Sequence, residues 1–115
     1  MQKTILVVDD ESAILTTLSD ILRDDGYSVS VASYSEEAIK WVQDALPDLV
    51  FLDVWMPGVD GIETLIKIKD IAPDLPVILM SGHGSIETAV RAIKVGAYDF
   101  IEKPLSNNLA GLSQL

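Results

Sequence analysis

The chain has 115 residues, which is enough for one domain but leaves no room for a second hydrophobic core. Its 18 Asp and Glu outnumber its 8 Lys and Arg, giving a formal net charge of −10, and so acidic a surface is poorly suited to bind nucleic acid directly. The absence of Cys excludes disulfides, thiolate metal sites and Cys nucleophiles. No run of 18 apolar residues occurs and the first strand starts near residue 4, so we expect no signal peptide and a cytoplasmic location.

Short apolar or β-branched segments alternate with segments of helical spacing along the chain. Strands are predicted at Thr4–Val8, Ser28–Ala32, Leu49–Leu52, Pro76–Met80 and Asp99–Glu102. Between them, apolar residues recur on one helical face within residues 14–22, 38–46, 62–66 and 86–97. Strands separated by helices imply right-handed crossovers, and therefore a doubly wound α/β domain with a five-stranded parallel sheet and helices on both faces. The first and third strands are the most apolar, so we expect them in the interior of the sheet.

Local signals mark where these helices start and stop. Ser35 stands before two glutamates, and Asp60 is followed three residues later by Glu63, both of which are typical of a helix start. Gly26 and Gly96 are placed to end helices. Residues 105–115 carry leucines at helical spacing but also two asparagines and a glycine, so this segment is predicted as a short or frayed fifth helix of the same domain, 1–115.

Polar side chains follow four of the five predicted strands, at the point where each strand ends. Asp9 and Asp10 follow the first strand, Asp53 the third, Ser81 the fourth and Lys103 the fifth. In an open parallel sheet these ends lie at one edge, where ligands bind. Clustered carboxylates favour a hard cation such as Mg²⁺ or Mn²⁺. A cation, an ammonium and a hydroxyl beside an Asp also suit phosphoryl transfer, with Asp53 as covalent acceptor.

Four short motifs occur in order along the chain: VVDDE, DVWMPG, SGHG and EKP. In order and spacing they resemble the receiver domain of bacterial two-component response regulators, over residues 1 to about 105. The segments DVWMPGVDGIETL and SGHGSIETAVRAIKVGAYDFIEKP are most similar to receivers of the nitrogen-regulatory class of transcription activators. The resemblance implies a flavodoxin-like strand order of 2-1-3-4-5.

The resemblance also implies roles at the phosphorylation site. Asp53 would accept a phosphoryl group from a partner histidine kinase, a phosphoacceptor role rather than that of an enzyme acting on other molecules. Asp10 would bind Mg²⁺ directly, Asp9 mainly through a water molecule, and the backbone carbonyl of Trp55 would complete the protein ligands together with Asp53. Lys103 would pair with a phosphoryl oxygen.

Two further residues are implied to carry the signal away from the site. The Ser81 hydroxyl would donate a hydrogen bond to the phosphoryl group. Phe100 occupies the family's aromatic switch position, and because Phe has no hydroxyl, only burial of its ring can signal phosphorylation. The resemblance further implies a cis Lys103–Pro104 bond. Partners implied are an output domain, with an ATPase and DNA-binding region absent from this chain, and a second copy of the domain upon phosphorylation.

Alternative interpretations remain at several of these positions. Asp9 or Asp10 alone could cap a helix, and the lone His83 receives no transfer role. A Mg²⁺-dependent phosphatase with an Asp nucleophile is the enzyme alternative, but such enzymes commonly need a second Asp two residues later as general acid, where this chain has Trp55. A protein-interaction module with a decayed site is the third alternative, and the presence of every expected site residue argues against it.

Overall fold

The computed structural model describes residues 2–56, 59–82 and 86–103, and the side chains of residues 55, 56 and 59 are outside that description. Strands and helices alternate along these residues as β1 (Thr4–Val8), α1 (Ser12–Asp24), β2 (Ser28–Ala32), α2 (Ser35–Asp44), β3 (Leu49–Asp53), α3 (Gly61–Ile71), β4 (Val77–Ser81), α4 (Ile86–Lys94) and β5 (Asp99–Glu102). A short antiparallel ribbon, Trp55–Met56 with Val59–Asp60, lies between β3 and α3. The predicted fifth helix and the Lys103–Pro104 bond lie outside the described residues.

The five strands form one parallel sheet in the order β2-β1-β3-β4-β5. This is the predicted doubly wound, flavodoxin-like arrangement, with β1 and β3 in its interior as their apolar sequences indicated. The order reverses at β1, because the chain first pairs β2 on one side of β1 and then adds β3 on the other. The carboxyl ends of β1 and β3 therefore flank the switch point at which open α/β sheets bind ligands.

Alternate residues of the strands supply two core layers, one on each face of the sheet. Leu6, Leu52 and Leu79 pack with α2, α3 and Ala92 of α4, whereas Val7, Phe51 and Met80 pack with Leu18 and Leu22 of α1. These side chains are almost completely buried. Burial on both faces explains why the interior strands are apolar throughout rather than alternating.

The helix boundaries follow the predicted signals with one exception. The Asp60 side chain accepts a hydrogen bond from the Ile62 backbone N–H at 2.9 Å and caps α3, and Gly26 and Gly96 have the positive φ values, 97° and 110°, that let the chain turn after α1 and α4. Ser35, by contrast, is the first residue of α2 and does not cap it. Its buried hydroxyl lies 2.7 Å from the hydroxyl of Thr64 on α3, so tertiary packing overrides the capping preference.

Helix α4 is the least buried of the four helices that the described residues form. Only Ala92 is buried within it, while Ile86, Val90 and Ile93 of its predicted apolar face are 84%, 47% and 50% exposed. None of the helices within residues 2–56, 59–82 and 86–103 is long and apolar enough to cross a membrane.

Candidate functional site

The carboxyl edge of the sheet brings together the polar residues that follow its strands. Asp9 and Ser81 are 0% exposed and Asp53 is 3% exposed, although each is polar or charged. Backbone hydrogen bonds fix their positions, since Asp9 N–H donates to the Ala32 carbonyl of β2 and Lys103 N–H donates to the Ser81 carbonyl of β4. Buried polar groups of this kind need charge or hydrogen-bond partners, which the neighbouring strands supply.

Lys103 is the cation at the centre of this edge. Its Nζ lies 2.6 Å from Asp9 Oδ2, 3.2 Å from Asp53 Oδ1 and 3.3 Å from Glu11 Oε1. The contact with Asp9 is the shortest of the three, and Nζ also donates a hydrogen bond to the Glu11 carboxylate. The Lys103 side chain is 8% exposed, so these interactions are little screened by solvent.

Burial and the charge of the ion-pair partner act in opposite directions on the pKa of Asp9 and on that of Lys103. Burial raises the pKa of Asp9 above its ordinary value of 3.8, and the Lys103 ammonium and the Glu11 N–H offset only part of that rise. Burial also acts to lower the pKa of Lys103, but Asp9 and Asp53 outweigh it and place the pKa above 10.5. Lys103 therefore remains a cation at neutral pH.

Three carboxylates at this edge are close enough to share a cation. Oxygens of Asp9, Asp10 and Asp53 all lie within 4.8 Å of one another, and Asp10 is exposed while the other two are buried. Mg²⁺ is held by carboxylate oxygens of this kind at about 2.1 Å. Counting Glu11, the described residues place four carboxylates and the Lys103 ammonium at this edge, so the excess negative charge and the oxygen-only donors both fit a hard divalent cation.

The segment after Asp53 is held tightly against the start of α3. Val54 N–H donates to the Met80 carbonyl, and the Val54 carbonyl accepts from Gly61 N–H at 2.7 Å. A Cβ at Gly61 would lie 2.5 Å from the Asp53 carbonyl oxygen and 2.6 Å from Val54 Cα, so only glycine fits here. The backbone of Trp55 continues into the short ribbon, two residues from the Asp53 carboxylate.

The two predicted switch residues occupy the face of the sheet that α4 covers. Ser81 ends β4 two residues after Leu79, so both side chains point to the same face. Phe100 pairs with Leu79 in the β4–β5 register and packs, half-buried, against the core layer to which Leu79 belongs. His83 lies outside the described residues.

Glu11 is the one residue of this cluster to which the sequence analysis gave no role. It was the third acid of VVDDE, and it is the N-cap residue of α1, yet its side chain makes no capping hydrogen bond among the described residues. Instead it reaches Lys103, the residue after β5. The run of three consecutive acidic residues indicated a charged cluster here, but it did not indicate which of the three would contact Lys103.

Comparison with known proteins identifies the class that this fold and site define. The family model for the response regulator receiver domain matches residues 5–110, so the chain belongs to that family. The nitrogen assimilation regulatory protein NtrX of Azorhizobium caulinodans is 49% identical over 108 residues, which cover 92% of this chain and 24% of that protein. The chain thus spans about a quarter of the length of the curated relatives it matches.

Solved structures agree with this assignment. The receiver domain of NtrX from Brucella abortus is 47% identical and has a TM-score of 0.87, covering 96% of this chain and 94% of that one. The beryllofluoride-activated NtrC4 receiver domain dimer is 44% identical and has a TM-score of 0.90, covering 98% and 94% of the two chains. The predicted similarity to receivers of nitrogen-regulatory transcription activators is therefore confirmed.

Proposed function

We propose that residues 1–115 form one receiver domain that acts as a phosphorylation-dependent switch. A partner histidine kinase donates a phosphoryl group to Asp53, and the resulting change in the domain controls a transcriptional output domain. The observation that carries this proposal is the position of Asp53: its Oδ1 lies 3.2 Å from the Lys103 ammonium, among carboxylates at the switch-point edge of a receiver-family sheet.

Asp53 is suited to act as the nucleophile of this transfer. A carboxylate oxygen of Asp53 attacks the phosphorus of the phosphohistidine, an O–P bond forms, and the N–P bond breaks with its electron pair returning to the imidazole. The Lys103 ammonium is placed to stabilise charge on the phosphoryl oxygens, and its raised pKa keeps it charged for that purpose. The domain is thus a phosphoacceptor that promotes its own phosphorylation and dephosphorylation, and not an enzyme with an independent substrate.

Mg²⁺ is the cofactor that the carboxylates fit best, with Mn²⁺ as a substitute. Asp10 would bind it directly, Asp9 mainly through water, and Asp53 and the Trp55 carbonyl would complete the protein ligands. When bound, the cation neutralises the excess negative charge and supports charge on the transferring phosphoryl group. The carboxylate oxygens within 4.8 Å of one another support this assignment.

Ser81 and Phe100 would pass the change on to α4. A phosphoryl group on Asp53 attracts the Ser81 hydroxyl, and Phe100, on the same face of the sheet, moves inward behind it. Because α4 buries only Ala92 and exposes Ile86, Val90 and Ile93, it is placed to change its position at small energetic cost. The switch is a shift between two populations, which phosphorylation biases.

The exposed face of α4 is also where we place contacts with partners. Ile86, Val90 and Ile93 form an apolar surface suited to the output domain or to a second copy of the chain upon phosphorylation. The dimer of the beryllofluoride-activated NtrC4 receiver supports self-association, and the greater length of the NtrX relative leaves room for the ATPase and DNA-binding regions that the resemblance implies. All these partners are consistent with a cytoplasmic location and require no membrane or nucleic acid contact by this domain.

Beryllofluoride tests the proposal because it mimics a phosphoryl group on an aspartate. With Mg²⁺ present, we expect it to shift amide resonances around Asp53 and on α4 in the wild type. Asp53→Ala should show neither change, whereas Ser81→Ala should bind at Asp53 with a weaker response on α4. Shifts in Asp53→Ala equal to those of the wild type would contradict the acceptor assignment.

A further inference from the structure

The Lys103 ammonium contacts three carboxylates that differ greatly in solvent exposure. The side chains of Asp9 and Asp53 are 0% and 4% exposed, whereas that of Glu11 is 59% exposed. A lysine ammonium has three N–H donors, so three surrounding carboxylates can use all of them. Any new acceptor at the site must take the place of one of these partners.

The backbone holds Glu11 in position for its contact with Lys103. Its N–H donates to Asp9 Oδ1 at 2.9 Å, and its carbonyl accepts from the N–H groups of Ile14 and Leu15 in the first turn of α1. The side chain is not used to cap this helix among the described residues, so it is available to accept from Lys103 at 3.3 Å. The contact thus follows from the fold and joins the start of α1 to the end of β5.

We propose that Glu11 is a positioning residue that holds the Lys103 ammonium in the unphosphorylated protein and competes with the phosphoryl group for it. The inference rests on the proposed function, since it concerns the same acceptor site. Of the three partners, Glu11 is the one most readily exchanged, because its exposed carboxylate is easily solvated again when the ammonium leaves. Loss of the contact should therefore favour binding of a phosphoryl-like anion.

Two variants separate this contact from a simple effect of charge. Glu11→Gln removes the charge and weakens the contact. Glu11→Asp keeps the charge but shortens the side chain by one methylene, which withdraws the carboxylate from Lys103, and Asp is a favourable helix N-cap residue, so the start of α1 is preserved. Asp24→Asn is the matched control, because it removes one exposed charge at the opposite end of α1.

The experiment is a titration with beryllofluoride at saturating Mg²⁺, in which binding is monitored through the amide resonances. The side-chain nitrogen resonance of Lys103 is recorded before beryllofluoride is added. We expect both Glu11 variants to bind about two- to fivefold more tightly than the wild type, the range for loss of one exposed ion pair. We also expect both to shift the Lys103 nitrogen resonance, and Asp24→Asn to change neither quantity.

The outcomes distinguish this inference from the proposed function. Unchanged or weaker binding by Glu11→Gln would overturn the inference, as would wild-type binding and a wild-type Lys103 resonance in Glu11→Asp. Failure of the wild type to bind beryllofluoride, or binding that survives Asp53→Ala, would instead overturn the proposed function.

Discussion

The ammonium of Lys103 lies 2.6 Å from Asp9 Oδ2, so an ion pair joins the end of β5 to the end of β1 across the ends of β3 and β4. Both side chains are buried, at 8% and 0% exposure. Such a pair stabilises the edge of the sheet only while both charges are present, because either charge alone would be buried without a partner and without solvation.

Lys103→Met should therefore destabilise the metal-free domain. Removal of one partner from a buried pair costs about 3–5 kcal/mol in the free energy of unfolding, because Asp9 and Asp53 lose their nearest cation. Mg²⁺ should restore more stability to this variant than to the wild type, because the divalent cation supplies the missing positive charge. Urea unfolding with and without Mg²⁺ measures both effects, and equal unfolding free energies for the two proteins without Mg²⁺ would contradict the role of the pair.

Asp10→Asn should weaken Mg²⁺ binding severely without unfolding the domain. Asp10 is exposed, so its loss leaves no buried charge, but it removes one of the three carboxylates that converge at the site. Isothermal titration calorimetry with Mg²⁺ measures the affinity. Asp24→Asn, which carries the same change in net charge at the far end of α1, should retain wild-type affinity. An equal loss of Mg²⁺ affinity in both variants would show that net charge, and not coordination by Asp10, controls binding.

Gly61→Ala should destabilise the domain and disturb the position of Asp53. The added methyl group would meet the Asp53 carbonyl oxygen at 2.5 Å, which forces the backbone between Asp53 and α3 to move. Gly82→Ala is the control, because no described atom lies within 4 Å of a Cβ at that position. Thermal unfolding should give a melting temperature several degrees lower for Gly61→Ala alone. The expected shift is about 4 °C for each kcal/mol lost, the value between those of smaller and larger domains.

Thr64→Val should cost about 1–3 kcal/mol in unfolding free energy, because it leaves the buried hydroxyl of Ser35 without its partner at 2.7 Å. The double variant Ser35→Ala with Thr64→Val removes both polar groups and should recover most of that loss. Chemical denaturation of the single and double variants tests this cycle. A double variant no more stable than Thr64→Val alone would show that the unpaired hydroxyl is not the cause.

Much of the fold was predictable because the interior strands are apolar on both faces. The spans of β1, β2 and β5 agree with the sequence prediction. β3 extends one residue further than predicted, to Asp53, and β4 is shifted by one residue, from Pro76–Met80 to Val77–Ser81. Those two residues are polar, so an apolar pattern ends before them, although strand pairing continues through Asp53 with Met80 and Ser81 with Glu102. Asp53 and Ser81 are therefore the last residues of their strands, whereas Asp9, Asp10 and Lys103 follow theirs.

The features that the sequence did not predict either depend on contacts between distant residues or are too short to leave a pattern. Whether Ser35 caps α2 or bonds elsewhere depends on Thr64, which is 29 positions away. The short ribbon after Asp53 has only two residues on each side, too few for a periodic signal. The contact of Glu11 with Lys103 spans 92 positions and requires the sheet order to be known first.

The central claim, that Asp53 is the phosphoacceptor, is tested most directly by intact-mass spectrometry after incubation with acetyl phosphate and Mg²⁺. We expect the wild type to gain the mass of a single phosphoryl group. Asp53→Ala should gain none under the same conditions, because the nucleophilic carboxylate is absent. Phosphoryl uptake by Asp53→Ala at the wild-type level would contradict the account.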